Sequence, residues 1–164
     1  MTAVVIRPAA ADDLGSVGRT FLACWHESYA DLLPPDVREM HTVVSALELW
    51  RRAPLKDLVV ADVLGRGVHG VARFGADRVD TTQGHVSSLY VHPDSQSLGL
   101  GRALLGAAVD RLREAGYAEA TLWVFADNSS ARAFYDRQGW APDGGTRTEP
   151  AYRLPEVRLR RALR

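Results

Sequence analysis

The sequence predicts an α/β fold, and three observations support that prediction. Segments of strand and helix character follow one another as strand, two helices, three strands, helix, strand, helix and closing strands. The strand, helix and strand between His85 and Phe125 form one βαβ crossover. The 164 residues are 46% hydrophobic, which suits a single domain over residues 1–164 with a core large enough to fold alone.

The chain begins with a short strand and an amphipathic helix. Residues 4–7 are strand formers, and Pro8 ends the strand because it cannot donate to a ladder. Asp12 and Asp13 are expected to cap the helix that follows. The apolar side of that helix consists of Leu14, Val17, Phe21, Leu22 and Trp25. A break is expected at residues 31–35, which end in two prolines.

A second helix and a β-hairpin are predicted next. The helix covers residues 36–50, and its apolar stripe consists of Val37, Met40, Val44, Leu47 and Trp50. Residues 58–62 and 68–74 are typical of hairpin strands, because a glycine-bearing turn at residues 65–67 joins two apolar runs. The polar run at residues 75–83 is predicted to be a loop.

The middle of the chain contains a strand, a glycine-rich loop and a long helix. Residues 85–91 have strand character, and Pro93 ends that strand. Beyond Gly101, apolar residues recur at helical spacing. These residues are Leu104, Leu105, Ala108, Val109 and Leu112. Gly116 closes the pattern as a C-cap.

The remaining segment predicts a strand, a helix and a closing hairpin. The strand covers residues 118–125, and the helix covers residues 129–138 with Gly139 at its C′ position. Trp140 begins the hairpin, Asp143-Gly-Gly145 is its expected turn, and residues 157–159 lie in the returning strand.

Composition excludes several classes of function. The net charge is zero, so the sequence has no nucleic-acid footprint and no nucleic-acid partner is expected. Cys24 is the only cysteine, which rules out an intrachain disulfide and a cysteine-based zinc site. No residues have metal-ligand spacing, and no Gly-x-Ser-x-Gly elbow occurs. Without a signal peptide or a membrane-spanning run, a cytoplasmic location with no membrane association is expected.

The loop between Pro93 and Arg102 leads directly into a helix N-terminus, where unpaired N–H groups and the helix dipole favour an anion such as phosphate. A dinucleotide fingerprint does not fit this loop, because the sixth residue from Gly99 is Leu104. A Walker A loop does not fit either, since alanines follow Gly106. A glycine turn that only caps an ordinary βα unit remains an alternative.

The pattern that fits is Gln96-x-x-Gly99-x-Gly101-Arg102-Ala103, behind Leu-Tyr-Val-x-Pro. It resembles the pyrophosphate loop of the GNAT superfamily of N-acetyltransferases. Residues 122–140 are similar to the family's next motif, a strand followed by Asn-x-x-Ala-x-x-Phe-Tyr-x-x-x-Gly-Phe/Trp. The resemblance covers almost the full length and implies a GNAT-like mixed sheet of six to seven strands flanked by four helices.

The resemblance also implies acetyl-CoA as co-substrate, with no metal. Its implied binding residues are Leu89, Tyr90, Val91, Gln96, Ser97, Leu98, Gly99, Leu100, Gly101, Arg102, Ala103, Asn128, Ala131 and Tyr135. In the family, pantetheine lies where the sheet opens, here between the strands ending at Val91 and Phe125. A backbone N–H of Tyr90 or Val91 would support the oxyanion. Asn128 would help to hold the CoA arm, and its position also suits a helix N-cap.

Acyl transfer to an amine needs a deprotonated amine and a proton for the departing thiolate. The resemblance places the acid on Tyr135, whose phenol stays protonated at neutral pH; packing beside Phe134 is the alternative. Many relatives carry Glu where this chain has His85, and the arylalkylamine acetyltransferases have histidines at the positions of His85 and Ser87. His85 is therefore the expected base, acting directly or through water, with a purely structural role as the alternative.

These features lead to the hypothesis of an acetyl-CoA-dependent N-acetyltransferase that acts on a primary amine by direct transfer in a ternary complex. The expected acceptor is a small molecule or a peptide amine, and the candidate acceptor contacts are Trp25, Tyr29 and Ser87. A non-catalytic acyl-CoA-binding sensor or partner subunit is the alternative, and a nucleotide-binding protein is a third, which the loop spacing disfavours. Dimerisation is common among relatives, so a homodimer is also considered.

Overall fold

The computed structural model covers all 164 residues and confirms the α/β fold. Its strands are β1 (Val4–Pro8), β2 (Leu58–Val63), β3 (Gly67–Ala76), β4 (Gly84–Val91), β5 (Glu119–Phe125), β6 (Ala141–Glu149) and β7 (Leu154–Ala162). Its α-helices are α1 (Leu14–Ala23), α2 (Pro35–Arg38), α3 (Val43–Arg51), α4 (Leu100–Glu114) and α5 (Ser129–Arg137). The seven strands form one mixed sheet in the order β1-β2-β3-β4-β5-β7-β6.

The chain forms two compact units. The first unit comprises Met1–Phe74 and Ser88–Ala108, and the second comprises Gly75–Ser87 and Val109–Arg164. Strand β4 and helix α4 each contribute residues to both units. The single domain over residues 1–164 stays a prediction.

In the first unit, β1 is antiparallel to β2, and β2 is antiparallel to β3. The turn between β2 and β3 places Gly65 and Gly67 at φ values of 82° and 81°, which glycine adopts without steric cost. Every residue of β2 except Asp62 is buried, as expected for a strand with a neighbour on each side. The predicted hairpin is therefore confirmed, and β3 continues two residues beyond its predicted end.

The capping prediction at the start of α1 is wrong. Asp13 occupies the N-cap position but makes no side-chain bond to the helix. Its carboxylate instead accepts two bonds from Arg7, at 2.7 and 2.9 Å, and one from the Ala10 amide at 2.7 Å. Two parallel bonds between a guanidinium and a carboxylate are stronger than one bond from a backbone amide to the same carboxylate, so Asp13 binds Arg7 instead of capping α1. The bond with Arg7 also lowers the pKa of Asp13.

The single helix predicted over residues 36–50 is divided into α2 and α3. Thr42 starts α3 with a capping box, in which its hydroxyl accepts from the Ser45 amide at 3.2 Å and the Ser45 hydroxyl accepts from the Thr42 amide at 2.9 Å. The predicted stripe is correct only at Val37 and Trp50, which are buried, and at the half-buried Leu47. Met40 and Val44 are 43% and 65% exposed, because the break changes which face of the segment points inward.

In the second unit, β7 lies between β5 and β6 and is antiparallel to both. The parallel ladder between β4 and β5 comprises two pairs, Gly84 with Ala120 and His85 with Thr121. Both predicted helix ends are confirmed, because Gly116 and Gly139 have φ values of 95° and 86° just past their helices.

The turn predicted at residues 143–145 is a bulge inside β6 rather than the hairpin turn. Asp143 explains the difference, because its carboxylate accepts from the Gly145 amide at 2.9 Å and from Nε of Arg158 at 2.8 Å and of Arg160 at 3.1 Å. The β6–β7 register shifts between Pro142 and Thr146 and then continues. The chain reverses at residues 150–153 instead.

We predict that Thr42→Ala lowers the free energy of unfolding by about 1 kcal/mol, because the first turn of α3 loses its cap. Urea denaturation followed by circular dichroism measures this change. Thr42→Ser keeps the hydroxyl and serves as the matched control, which should stay close to wild type. Equal stability of Thr42→Ala and Thr42→Ser would show that the capping box does not stabilise α3.

Candidate active site

The glycine loop at the head of α4 lies in the first unit. Residues Pro93–Leu98 form 3₁₀ turns, and Gly99 then adopts φ 74°, a left-handed conformation. The first amide that bonds back along the helix is that of Ala103, to the Gly99 carbonyl at 3.2 Å. The amides of Leu100, Gly101 and Arg102 therefore lie in the first turn, where a helix has no internal acceptors. These amides and the dipole of the 15-residue helix are the groups that can hold an anion.

Side chains of the β2–β3 hairpin contact this loop and hold it in place. Ser95 is fully buried, and its hydroxyl lies 2.8 Å from Nδ1 of His69. Arg66 donates to the Asp94 carbonyl at 3.0 Å and to the Ser95 hydroxyl at 3.3 Å. His69 also stacks on His92, with ring centroids 4.5 Å apart. The loop conformation is thus held in place before any ligand binds.

The predicted pyrophosphate-loop residues are divided between surface and core. Gln96, Ser97, Leu98, Gly99, Arg102 and Ala103 are exposed, Gly101 is partly exposed, and Leu100 packs in the core. The Gln96 side-chain amide donates to the Ser28 hydroxyl at 2.9 Å, which ties the loop to the turn after α1. A Cβ at Gly99 would meet no atom within 4 Å, so the space beside this glycine is open.

The backbone groups of Tyr90 and Val91 point to opposite edges of β4. A Cβ at Gly70 on β3 would lie 3.5 Å from the Tyr90 carbonyl oxygen, so this carbonyl points towards β3. In an extended strand the N–H and C=O of one residue point to the same edge, and those of the next residue point to the opposite edge. The backbone groups of Leu89 and Val91 therefore point away from β3, and the Val91 carbonyl accepts from the Cys24 thiol at 2.9 Å.

The predicted acceptor contacts Trp25 and Tyr29 belong to an aromatic cluster in the first unit. Trp25 is 1% exposed, and its indole N–H donates to the Val37 carbonyl at 3.1 Å. Tyr29 and Tyr90 are partly exposed, with ring centroids 6.3 Å apart. Helix α1 is prolonged by a π-helical turn at Cys24–Ser28, a feature that often accompanies functional sites. The acceptor contacts themselves stay predictions.

His85 is the centre of a hydrogen-bonded group in the second unit. Its Nδ1 lies 2.8 Å from the Thr121 hydroxyl and 3.4 Å from Oδ2 of Asp77. The Thr121 hydroxyl is itself 3.2 Å from the same Asp77 oxygen. Two strands and a loop supply these residues, since His85 and Thr121 are cross-strand partners and Asp77 follows β3. Ser87, two residues along β4, is exposed.

The surroundings of His85 keep its imidazole neutral at cellular pH. Burial is the main cause that lowers the pKa of His85, and Asp77 opposes it. Three guanidinium groups, those of Arg147, Arg78 and Arg158, lower the pKa further. A neutral imidazole has one nitrogen with a lone pair, which is the form that a general base requires.

Helix α5 carries the other predicted site residues of the second unit. The Asn128 side-chain oxygen accepts from the Ala131 amide at 3.1 Å, so Asn128 is the N-cap of this helix. Tyr135 packs against Phe134 and Trp140, with ring centroids 5.2 and 6.4 Å away. Burial raises the pKa of the Tyr135 phenol, so the phenol keeps its proton throughout the physiological pH range.

The comparison with known families decides the identity of this fold. The model of the Acetyltransferase (GNAT) family matches residues 19–140, which is well over half of the chain. The chain belongs to the GNAT acetyltransferase family. This acetyltransferase resembles the uncharacterized N-acetyltransferase YuaI of Bacillus subtilis, with 26% identity over 159 residues that cover 96% of this chain and 89% of YuaI.

Two further relatives match this GNAT acetyltransferase differently. The mycothiol acetyltransferase of Clavibacter sepedonicus is 43% identical over 84 residues, which are 51% of this chain but only 26% of that protein. The crystal structure of the PaiA N-acetyltransferase from Thermoplasma acidophilum in complex with coenzyme A has a TM-score of 0.75 and 18% identity, covering 98% of this chain and 99% of that one. At this identity the structural likeness shows the fold alone.

Sequence reasoning missed the partners that position the candidate residues of this GNAT acetyltransferase. Asp77 lies in the polar run predicted as a loop, and Thr121 is one of two polar residues, with Glu119, in a predicted strand. A parallel register cannot be read from one sequence, so nothing marked Thr121 as the neighbour of His85. Arg66 and His69, which brace the glycine loop, were missed for the same reason.

Two structural findings concern the helices and the possible metal ligands. None of the helices in this acetyltransferase combines the length and the apolar character that crossing a bilayer requires. No group of three or more His, Cys, Asp or Glu side chains is placed to hold a metal ion.

We predict that Cys24 is unreactive in the folded protein. Burial raises the pKa of its thiol to about 12, so at pH 8 only about one molecule in 10⁴ carries the nucleophilic thiolate. Ellman's reagent at pH 8 should modify the native protein slowly and the guanidinium-unfolded protein at once. Rapid modification of the native protein would show that this thiol opens to solvent.

Proposed function

We propose that this GNAT acetyltransferase transfers an acetyl group from acetyl-CoA to a primary amine of a small molecule, by direct transfer in a ternary complex. The observation that carries the proposal is the braced glycine loop, with Gly99 at φ 74° and the amides of the first turn of α4 behind it. A doubly charged diphosphate suits bare amides at a helix N-terminus. The solved relative PaiA, which shares the fold, was crystallised with coenzyme A.

The residues present fit acetyl-CoA, which supplies an acetyl thioester when it is bound. The amides from Gly99 to Arg102 would hold the diphosphate, and the open space beside Gly99 leaves room for close approach. The outward backbone groups of Leu89 would pair with pantetheine. Of the two amides expected to support the oxyanion, that of Val91 is the better candidate, because the Tyr90 backbone points towards β3.

His85 is proposed as the base and Tyr135 as the acid. The acceptor arrives as an ammonium ion and must lose one proton before it can attack; Nε2 of His85 takes this proton and later releases it to solvent. The nitrogen loses its second proton to solvent after the C–N bond forms, and solvent returns one proton to Tyr135 after its phenol has protonated the sulfur. The sulfur gains one proton as the C–S bond breaks, and the neutral phenol of Tyr135 gives it.

The environment of His85 suits a proton acceptor, and the environment of Tyr135 suits a proton donor. Burial lowers the pKa of His85 and raises the pKa of Tyr135, so at pH 7 the first group can accept a proton and the second can donate one. The exposed Ser87, two residues from His85 on β4, supports a small polar acceptor. The mycothiol acetyltransferase of Clavibacter sepedonicus carries no argument for the acceptor, because the matching region is only 26% of that protein.

The test is release of CoA thiol from acetyl-CoA with a panel of amino acids, polyamines, aromatic amines and short peptides. Wild type should acetylate at least one small amine, with mass spectrometry identifying an N-acetyl product. His85→Ala and Tyr135→Phe should each lower kcat by about 10²- to 10⁴-fold. The wild-type kcat/KM should rise with pH through a pKa below the ordinary histidine value of 6.5.

Several results would contradict the proposal. Saturable CoA binding with no release for any amine would favour the sensor alternative. Acetylation of peptides alone would overturn the small-molecule acceptor. Turnover that His85→Ala leaves unchanged at every pH, with CoA affinity also unchanged, would remove His85 as the base.

A glycine exchange tests the loop directly. Gly101→Leu should weaken CoA at least tenfold, about 1.4 kcal/mol, because a side chain there blocks close approach of the diphosphate to the amides. Gly106→Leu is the matched control in the same helix, since a Cβ there meets nothing within 4 Å. Isothermal titration with CoA measures both variants, and equal affinities would show that the diphosphate does not bind at this loop.

A further inference from the structure

The group formed by His85, Thr121 and Asp77 determines which nitrogen of the imidazole carries the proton. Thr121 is 2% exposed, so its hydroxyl has protein partners rather than water. That hydroxyl has one hydrogen and two close neighbours, Nδ1 of His85 at 2.8 Å and Oδ2 of Asp77 at 3.2 Å. The direction of this single hydrogen therefore decides the state of the histidine.

Asp77 fixes that direction. Although burial raises the pKa of Asp77, the amides of Asp80 and Val79 and the nearby His85 lower it, and the net pKa lies below its ordinary value. An ionised carboxylate only accepts, so the Thr121 hydroxyl donates to Asp77. The Thr121 oxygen must then accept from His85, and Nδ1 must carry a hydrogen.

The Nε2–H tautomer would bring together three acceptor atoms with only one hydrogen between them. These atoms are Nδ1 of His85, the Thr121 hydroxyl oxygen and Oδ2 of Asp77. If Nδ1 had no hydrogen, its lone pair would face Oδ2 of Asp77 at 3.4 Å, with Thr121 unable to donate to both. A proton on Nδ1 removes this repulsion and adds an attraction to the carboxylate. We propose that Asp77, acting through Thr121, holds His85 in the Nδ1–H tautomer and so keeps Nε2 as the basic nitrogen. This inference deepens the proposed function and rests on it for the role of His85 as base.

Asp77 is also rigidly oriented, which makes it a suitable positioning residue. Its other oxygen, Oδ1, accepts from the amides of Val79 at 2.8 Å and Asp80 at 3.1 Å. The Asp77 amide donates to the Gln83 carbonyl at 2.9 Å, which closes the loop. The carboxylate thus has one oxygen fixed on the loop backbone and one directed at Thr121 and His85.

This orientation makes Asp77→Asn a sharp test. The amides of Val79 and Asp80 are donors, so they require the Asn oxygen and turn its NH₂ group towards Thr121 and His85. A donor at that place forces Nδ1 to accept, and the proton moves to Nε2. The variant should therefore lose the base while keeping the size and hydrogen bonds of the loop.

The first measurement is the tautomer itself, from long-range ¹H–¹⁵N NMR of the five histidines, with His85 assigned by its loss in His85→Gln. Wild type should show His85 as the Nδ1–H form at pH 7.5, and Asp77→Asn should show the Nε2–H form. A wild-type His85 protonated on Nε2 would overturn the inference without any variant. An unchanged tautomer in folded Asp77→Asn would overturn it as well.

The second measurement is steady-state kinetics with the best amine of the panel. Asp77→Asn should lower kcat by about 10²- to 10⁴-fold and leave the KM for acetyl-CoA unchanged, because a positioning residue of the base does not bind the co-substrate. Asp80→Asn is the matched control, since it removes a carboxylate from the same loop whose bonds go to Thr82. It should retain wild-type kcat, and an equal loss in both variants would point to loop damage and overturn the inference.

Variants at Thr121 separate the effect of the Thr121 hydroxyl, which lies between His85 and Asp77, from the effect of the Asp77 carboxylate. Thr121→Ser keeps the hydroxyl and should retain kcat and the Nδ1–H form, whereas Thr121→Val leaves only the 3.4 Å contact between Asp77 and Nδ1 and should lower kcat. If the tautomer behaves as expected while His85→Ala leaves turnover unchanged, the proposed base fails and the tautomer assignment stands. The two failures are therefore distinguishable.

Discussion

The register of β4 is the constraint on which the candidate chemistry depends. Its first residues pair in parallel with β5 and place His85 opposite Thr121. Because side chains alternate along a strand, this single pairing sets the face of His85 and brings it to Asp77. A shift by one residue would turn the imidazole to the opposite face of the sheet. The same strand ends at Val91 and leads into the glycine loop.

The glycine loop, which is the proposed diphosphate site, is held in place by side chains of the protein itself. A loop that orders only on binding loses conformational entropy at that moment. Here Arg66, His69 and the fully buried Ser95 already hold the loop, and the Cys24 thiol bonds to the end of β4. The helix amides are therefore presented in a fixed arrangement, and most of the ordering cost belongs to folding rather than binding.

Burial shifts the pKa values of the two candidate catalytic groups in opposite directions. It disfavours the charged form of each, which is the imidazolium for His85 and the phenolate for Tyr135. In the proposed roles, His85 is then a neutral base and Tyr135 a neutral acid at the same pH. Asp77 adds direction, since its carboxylate acts on one nitrogen of His85 and leaves the other for chemistry.

The sequence by itself determined the features that depend on local order. The glycine loop, the helix that follows it, the helix ends at Gly116 and Gly139 and the second motif around Asn128 are contiguous patterns in the sequence. Nearby residues settle the helix ends and the Asn128 cap, although contacts from Arg66 and His69 also hold the glycine loop. The family could be recognised for the same reason. The structure confirmed the order of the strands, and helix α4 lies where its periodicity indicated, whereas the helix expected over residues 36–50 is divided into α2 and α3.

Only the tertiary structure decided the features that depend on distant partners. Asp13 was expected to cap a helix, but Arg7 binds its carboxylate. Residues 143–145 were expected to form a hairpin turn, but they form a bulge in β6. The reason is that Arg158 and Arg160 on β7 donate to the Asp143 carboxylate. Thr121 and Asp77 meet His85 through a parallel register that no local pattern encodes. Charged and hydroxyl side chains bind the strongest partner that lies close to them. For partners distant in sequence, only the folded structure determines which one that is.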